Sequence, residues 1–353
     1  MSTLMDCIDR IPEKLKDIEM NKKITFSSLL EYMREIKEVK EIVFVASGTS
    51  YNSAFTAKNF IENQCGFKVS LCYPNIFLNY TDKLNSDALY VMISQTGTTK
   101  LVFECLKKVK ALGYKNCAIT GYPDSPISKE ADASIDMGCG HEEYMYRTIG
   151  YSSTVATIYM MSISLAEIYG HITSEDKEKY LEDFRKLFSS LKDIKDISLK
   201  WYKDNKFSLM KRDRMILTGT NDLWPVAQEG DIKFMEMVPM MTNSFELEEF
   251  IHGPQNCFND NIIFFVSFRK TEDFEKARSI ADFLKKEIGF CAMVGDSALD
   301  GRDLSFNPQS QYFSSLEYVT VMQVLAYSLA EDHGRDLKRG VNSQITKYIT
   351  KTI

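Results

Sequence analysis

Short runs of consecutive apolar residues alternate along this chain with segments whose apolar positions recur every three or four residues. Ala88-Leu-Tyr-Val-Met-Ile93 has the length and composition of a fully buried strand, and Leu101, Val102, Cys105, Leu106 and Val109 follow at helical spacing. Residues 41–66, EIVFVASGTSYNSAFTAKNFIENQCG, predict the same order: buried strand, a turn of small hydroxyl residues with Gly48, and a helix ending near Gly66. Further strands are predicted at 68–73, 116–120 and 131–137. Strands alternating with helical patterns mean βαβ units and a mostly parallel sheet covered on both faces, an α/β fold.

Residues 173–204 open with Ser174 as the predicted N-cap, carry acids in the first turn, and predict one or two charged helices bridging two domains. The α/β logic then restarts: a strand within 214–222, a helix from about Pro225, a strand at 261–268, a helix over 271–288, a strand at 290–296 and an apolar helix at 319–334. Two units of similar size and order predict a duplication. At 353 residues the chain is long enough for two domains with real cores.

A net charge of −6 without a basic stripe argues against nucleic acid as a partner. The eight cysteines are scattered, with no CxxC pair and no histidine at ligand spacing, so they read as small core residues in a reducing cytoplasm rather than as disulfides or a metal site. The N-terminus lacks a signal-peptide apolar core. The greasiest segment, 155–170, is too short to span a membrane and contains Glu167, so it is expected in the core or in a dimer interface.

The chemistry concentrates in two turns and one helix. In ISQTGTT, Ser94, Gln95, Thr96, Gly97 and Thr99 sit between a strand and a helix whose first turn holds Lys100 and no acid. Ser47, Gly48, Thr49 and Ser50 form the equivalent turn after the earlier strand, at the carboxyl edge where open α/β sheets bind ligands. Hydroxyls beside unpaired helix N–H groups suit a phosphate, although the same residues also serve as ordinary turn and cap residues. Neither turn has the spacing of a Walker or dinucleotide loop. In the second half Phe268 and Arg269 stand where the first half has its hydroxyls, so one anion site is expected, in the first domain.

Glu229, Lys233 and Glu236 fall at i, i+4 and i+7 of one predicted helix, a spacing that fits either a solvated salt-bridge stripe or a site. Downstream, SFELEEFIHGPQ brings Glu249 and His252 together before Gly253 and Pro254, in what reads as a loop. A carboxylate, a histidine and a phosphate site together suit proton transfer beside a sugar carbonyl.

VASGTSYNSA, ISQTGTT, PVAQEGDIKFMEM and ELEEFIHGP, in this order, resemble the sugar isomerase (SIS) domain pair of glucosamine-6-phosphate synthase and its stand-alone relatives among phosphosugar isomerases, deaminases and fructosamine-6-phosphate deglycases. The resemblance runs from about residue 10 to the C-terminus. It implies two tandem SIS domains, each a mostly parallel five-stranded sheet in a three-layer, flavodoxin-like αβα arrangement. The implied organisation is an N-terminal helical segment at 1–25, a first SIS domain at 26–170, a helical linker at 171–205, a second SIS domain at 206–335, and a tail at 336–353 reaching the active site.

The resemblance further implies a sugar phosphate held by Ser47, Gly48, Thr49, Ser50, Ser94, Gln95, Thr96 and Thr99, with Glu236 as the proton carrier between C1 and C2. His252 is the implied ring-opening histidine, acting in a homodimer with shared active sites. Glu229 and Lys233 match the upstream glutamate and lysine, and Lys347 in TKYIT matches a tail lysine that engages the open-chain carbonyl. No metal or other cofactor is implied. With no glutaminase domain, glutamine-dependent synthesis is not expected, and residues 147–154, RTIGYSST, replace the synthase loop that lines the substrate. The expected function is isomerisation of a ketose or amino-sugar 6-phosphate, or release of an amine from one. The alternative is a non-catalytic sugar-phosphate sensor.

Overall fold

The computed structural model describes residues 3–36, 38–238, 240–271 and 273–353. The first half contains α1 (Leu4–Asp9), α2 (Ile11–Thr25), α3 (Ser27–Arg34), β1 (Glu41–Val45), α4 (Thr49–Gln64), β2 (Lys68–Cys72), α5 (Pro74–Asn79), β3 (Leu89–Ile93), α6 (Lys100–Ala111), β4 (Asn116–Thr120), α7 (Pro126–Glu130), β5 (Ala133–Asp136) and α8 (Ile149–Ile168). After these come α9 (Ser174–Arg185), α10 (Leu187–Met210), β6 (Arg214–Gly219), α11 (Leu223–Met237), β7 (Met241–Glu246), β8 (Ile262–Ser267), α12 (Phe274–Phe283), β9 (Cys291–Gly295), β10 (Leu304–Ser305) and α13 (Ser315–Asp332).

These elements form two compact units. One comprises Glu13–Glu142, Ile149–Glu182 and Gly340–Ile353, and the other Met1–Pro12, Glu143–Thr148 and Asp183–Arg339. The first holds a five-stranded sheet in the order β2-β1-β3-β4-β5, the second a five-stranded sheet in the order β10-β9-β8-β6-β7, and every pairing is parallel. Counted from the first strand of each unit, both orders read 2-1-3-4-5, the doubly wound arrangement whose strand order reverses beside its first strand. The duplication expected from the sequence is therefore present in the topology.

Both sheets are covered by helices, which is why their central strands are apolar on both faces. All residues of β3, β4, β8 and β9 are buried. On one face of the first sheet Val43, Val45, Tyr90 and Met92 pack with Phe77, Val102, Leu106 and Ile127 from α5, α6 and α7. α4 packs on β1 and β2 and against α8. In the second unit Ile216, Phe264, Val266 and Met293 pack with Ala277, Ile280 and Ala281 of α12, while α11 and α13 pack together.

Several expectations change in detail. Thr173, not Ser174, caps α9: its hydroxyl accepts from the Asp176 N–H at 3.1 Å, and the Asp176 carboxylate accepts from the Thr173 N–H at 3.0 Å. The helix expected over 271–288 starts at Phe274 and gives way to a π-helical turn over Leu284–Ile288, and the last apolar helix starts at Ser315 rather than 319. β7 and the two-residue β10 were not anticipated. Both are edge strands, and MTNSFE, with four polar residues and one buried side chain, offers no apolar run to find. The apolar helix at 155–170 begins at Ile149, and every residue from 149 to 166 is buried within the single chain. It is a core helix, apolar all round, so it does not supply the surplus surface for a dimer that its composition suggested.

Candidate functional site

In the first unit the order reversal lies between β1 and β3, and the turns that follow these two strands are the hydroxyl turns. After β1, Gly48 is the N-cap of α4 at φ +56°, a conformation that favours glycine, and the first turn of this helix holds no acid. Ser47 is exposed, and Thr49 and Ser50 are half-buried. After β3, Gly97 has φ +64°, and a Cβ there would sit 1.9 Å from Ser125 Oγ, so glycine is required twice over. The Gly97 N–H donates to Ser94 Oγ at 3.1 Å, and the Ser94 and Thr99 hydroxyls share a hydrogen bond of 2.8 Å. Thr98 Oγ1 donates to Thr96 Oγ1 at 2.9 Å.

Two features of this turn bear on the phosphate assignment. The Gln95 carboxamide, expected at the phosphate, reaches Cys139 Sγ at 3.7 Å and lies against Gly150, where an added Cβ would be 2.2 Å from Gln95 Oε1. The C-terminal segment also lies across the turn: Thr352 bridges Thr99 in antiparallel fashion, the Lys100 N–H donates to the Lys351 carbonyl at 3.0 Å, and the Ile353 N–H donates to the Thr98 carbonyl at 3.0 Å. One of the N-terminal amides of α6 is thus taken by the chain itself. Lys347 lies in a 3₁₀ turn over Ser343–Lys347 of the same unit and is exposed.

The segment 147–154 is not a free loop, because α8 begins at Ile149. Glu142 accepts from the Ile149 and Gly150 N–H groups at 3.0 and 3.1 Å, so a carboxylate of the protein fills this helix N-terminus. The first turns of α4 and α6 hold no acid.

In the second unit the reversal lies between β6 and β8, and there the chain supplies its own ions. Asp222, buried at the N-terminus of α11, pairs with Arg269 from the segment after β8, and the Arg269 guanidinium also donates to Ser314 Oγ at 2.8 Å. Burial pushes the Asp222 carboxyl up from its ordinary range and Arg269 pulls it back. This pair accounts for the asymmetry expected from Phe268 and Arg269: the duplicated switch point is filled.

α11 carries the charge triad. Lys233 and Glu229 are fully buried, with Lys233 Nζ 3.5 Å from Glu229 and 2.7 Å from Glu236, whose side chain is 39% exposed. Burial excludes the solvated stripe, because neither Glu229 nor Lys233 meets water. Glu236 is the member of the triad that solvent reaches. α11 is tied to β7 by Asp231, which accepts from Ser244 at 3.1 Å and from Thr242, and whose carboxyl is pushed up by burial.

His252 ends a short 3₁₀ turn over Glu249–Ile251 and its side chain is 60% exposed. Its partner is Glu248, not Glu249: Nε2 lies 3.0 Å from Glu248 Oε1, and Lys276 Nζ lies 2.6 Å from Glu248 Oε2. Lys276 first, then His252, hold the Glu248 carboxyl below the usual range. The i, i+4 spacing across a 3₁₀ turn was available in the sequence, but reading ELEEFIH as a loop hid it. Among the described residues no group of three His, Cys, Asp or Glu side chains has the geometry to hold a metal ion, and no helix is long and apolar enough to cross a membrane.

The sequence profile of the SIS domain matches residues 35–166. This chain thus contains a SIS domain in its first half. It is 23% identical over 351 residues to the glutamine–fructose-6-phosphate aminotransferase of Clostridium tetani, a match covering 96% of this chain and 57% of that one. The chain spans about half the length of the curated relatives it matches. Among solved structures, a candidate phosphosugar isomerase from Clostridium difficile 630 superposes with a TM-score of 0.92 at 20% identity, covering 100% of this chain and 99% of that one. The C-terminal domain of glucosamine-fructose-6-phosphate aminotransferase from Francisella tularensis gives 0.87 at 20% identity, covering 95% and 97%. At these identities the structural likeness establishes the fold of both units.

Proposed function

We propose that this protein is an enzyme acting on a ketose or amino-sugar 6-phosphate, by moving a proton between C1 and C2 or by releasing an amine after that transfer. The observation that carries the reading is the triad on α11: a buried lysine 2.7 Å from the one carboxylate of its group that solvent reaches. A fixed cation orients the Glu236 carboxylate without denying it access to a substrate, and a positioned carboxylate is a competent general base. Phosphate is assigned to the turns 47–50 and 94–99, where hydroxyls and the helix-start amides left by the Lys351 contact offer donors and the first turns hold no acid. His252, oriented by Glu248, is assigned to opening the sugar ring, and Lys347 to the carbonyl oxygen. The relatives named for fructose-6-phosphate amination support the substrate class. A homodimer belongs to the same reading, and sedimentation of the purified chain tests it.

The experiment is a panel of phosphorylated ketoses, amino sugars and fructosamines, scored for isomerisation and for amine release, each beside its unphosphorylated counterpart. Turnover restricted to phosphorylated members supports the proposal. Binding without turnover across the panel makes the protein a sugar-phosphate sensor, and equal turnover of unphosphorylated sugars overturns the phosphate assignment.

A further inference from the structure

The second unit carries a cavity of about 390 Å³ that the proposed chemistry does not use. Its wall includes Lys270 from the segment after β8, Phe274 and Arg278 from α12, Met293 from β9, and Ser297 and Leu299 from the segment after β9. Several of these follow the carboxyl ends of β8 and β9, the edge at which open α/β sheets take ligands. The cavity is displaced by one strand from the switch point, which Asp222 and Arg269 fill.

The wall divides by chemistry. Met293 is buried, and Phe274 and Leu299 pack on the same hydrophobic cluster, so the floor is apolar and held by the core. Phe274 is backed by Phe268, with ring centroids 5.5 Å apart. Lys270 and Arg278 are exposed at the rim, with Arg278 3.7 Å from Glu275. They are the charged residues of the described wall, and both are positive. Two cations beside an apolar floor complement a ligand that has both parts: a bare anion leaves the floor in contact with water, and a neutral ring gains no charge-assisted bond from the solvated rim. A volume in the range of small-molecule sites admits one ring with an acidic group attached.

We propose that this cavity is a second binding site, independent of the hydroxyl turns, for a small aromatic anion whose ring lies on Phe274, Met293 and Leu299 and whose acidic group meets Lys270 and Arg278. Met293 makes the test site-specific. In protein labelled with ¹³C at the methionine methyls, the Met293 resonance is assigned through Met293→Leu and followed during titration with phenyl phosphate. The expected result is a saturable shift of that resonance, with the dissociation constant raised about tenfold or more in Lys270→Met and in Arg278→Met, the loss of a charge-assisted hydrogen bond. Inorganic phosphate and phenol, titrated separately, are expected to move it only at concentrations at least about tenfold higher. Because the readout belongs to one methionine of the second unit, phenyl phosphate bound at the hydroxyl turns does not mimic it, and failure of the sugar-phosphate assignment leaves it unchanged. A Met293 resonance that does not move, that moves equally in both rim variants, or that responds as strongly to inorganic phosphate overturns the proposal.

Discussion

Replacing Lys233 by methionine removes a charge from a place that water does not reach. The methylene stem is retained in length, so packing changes little, but Glu229, fully buried, loses a cation 3.5 Å away. Breaking a buried pair from one side costs about 3–5 kcal/mol, because the remaining charge is left uncompensated. For a domain of this size each kcal/mol moves the midpoint by about 2–4 °C, so the second unit should melt roughly 6–20 °C lower. Differential scanning calorimetry of wild type and variant reads this directly. The physical cause is isolated by a second change: Glu229→Leu in the Lys233→Met background removes the buried charge that faced Lys233 and should recover most of the loss. A single variant within about 1 kcal/mol of wild type, or a double variant no more stable than the single, would refute the reasoning that Lys233 and Glu229 are a desolvated pair.

Thr99→Val removes a hydroxyl bonded to Ser94 and proposed to meet phosphate, and should raise KM about tenfold in steady-state assays, with kcat little changed. Gly97→Ala forces a side chain into φ +64° and onto Ser125, and urea unfolding should show a loss of about 2 kcal/mol or more. Arg269→Met leaves Asp222 buried without its cation, with an expected loss of about 3–5 kcal/mol at neutral pH. The Asp222 pKa is already raised by burial, so the native state holds its proton to higher pH than the unfolded chain does, and stability falls as pH rises through the two values. Without Arg269 that pKa rises further, so the deficit of the variant should shrink as the pH is lowered toward the folded value, and urea titrations at pH 7.5 and pH 5 compare the two.

The fold was legible because the central strands are buried on both faces and therefore appear as unbroken apolar runs, as at Ala88–Ile93 and 261–268. β7 was not legible, since an edge strand with polar residues has the composition of a loop. Turn residues were found by type, but their side-chain directions were not: nothing in ISQTGTT reveals that the Gln95 carboxamide leaves the turn for Cys139. The triad was found by its spacing, and only burial separates it from a surface stripe. The antiparallel bridge between Thr99 and Thr352 joins residues far apart in the chain, and no local pattern announces it. Asp222 and Arg269 were legible in part: an arginine where hydroxyls were expected signalled the asymmetry, while its partner required the fold.

The central claim is that Glu236 carries the proton between C1 and C2 of a phosphorylated sugar. With the substrate identified by the panel, the reaction is run in deuterated water and followed by proton NMR at C1 and C2, for wild type and for Glu236→Gln, whose amide keeps the shape and cannot take up the proton. The account predicts solvent deuterium at the exchanging carbon with wild type and a rate lower by about 10² or more with Glu236→Gln, the usual contribution of a general base, at little cost in substrate binding. Exchange by Glu236→Gln at the wild-type rate would contradict it and move the base to another group.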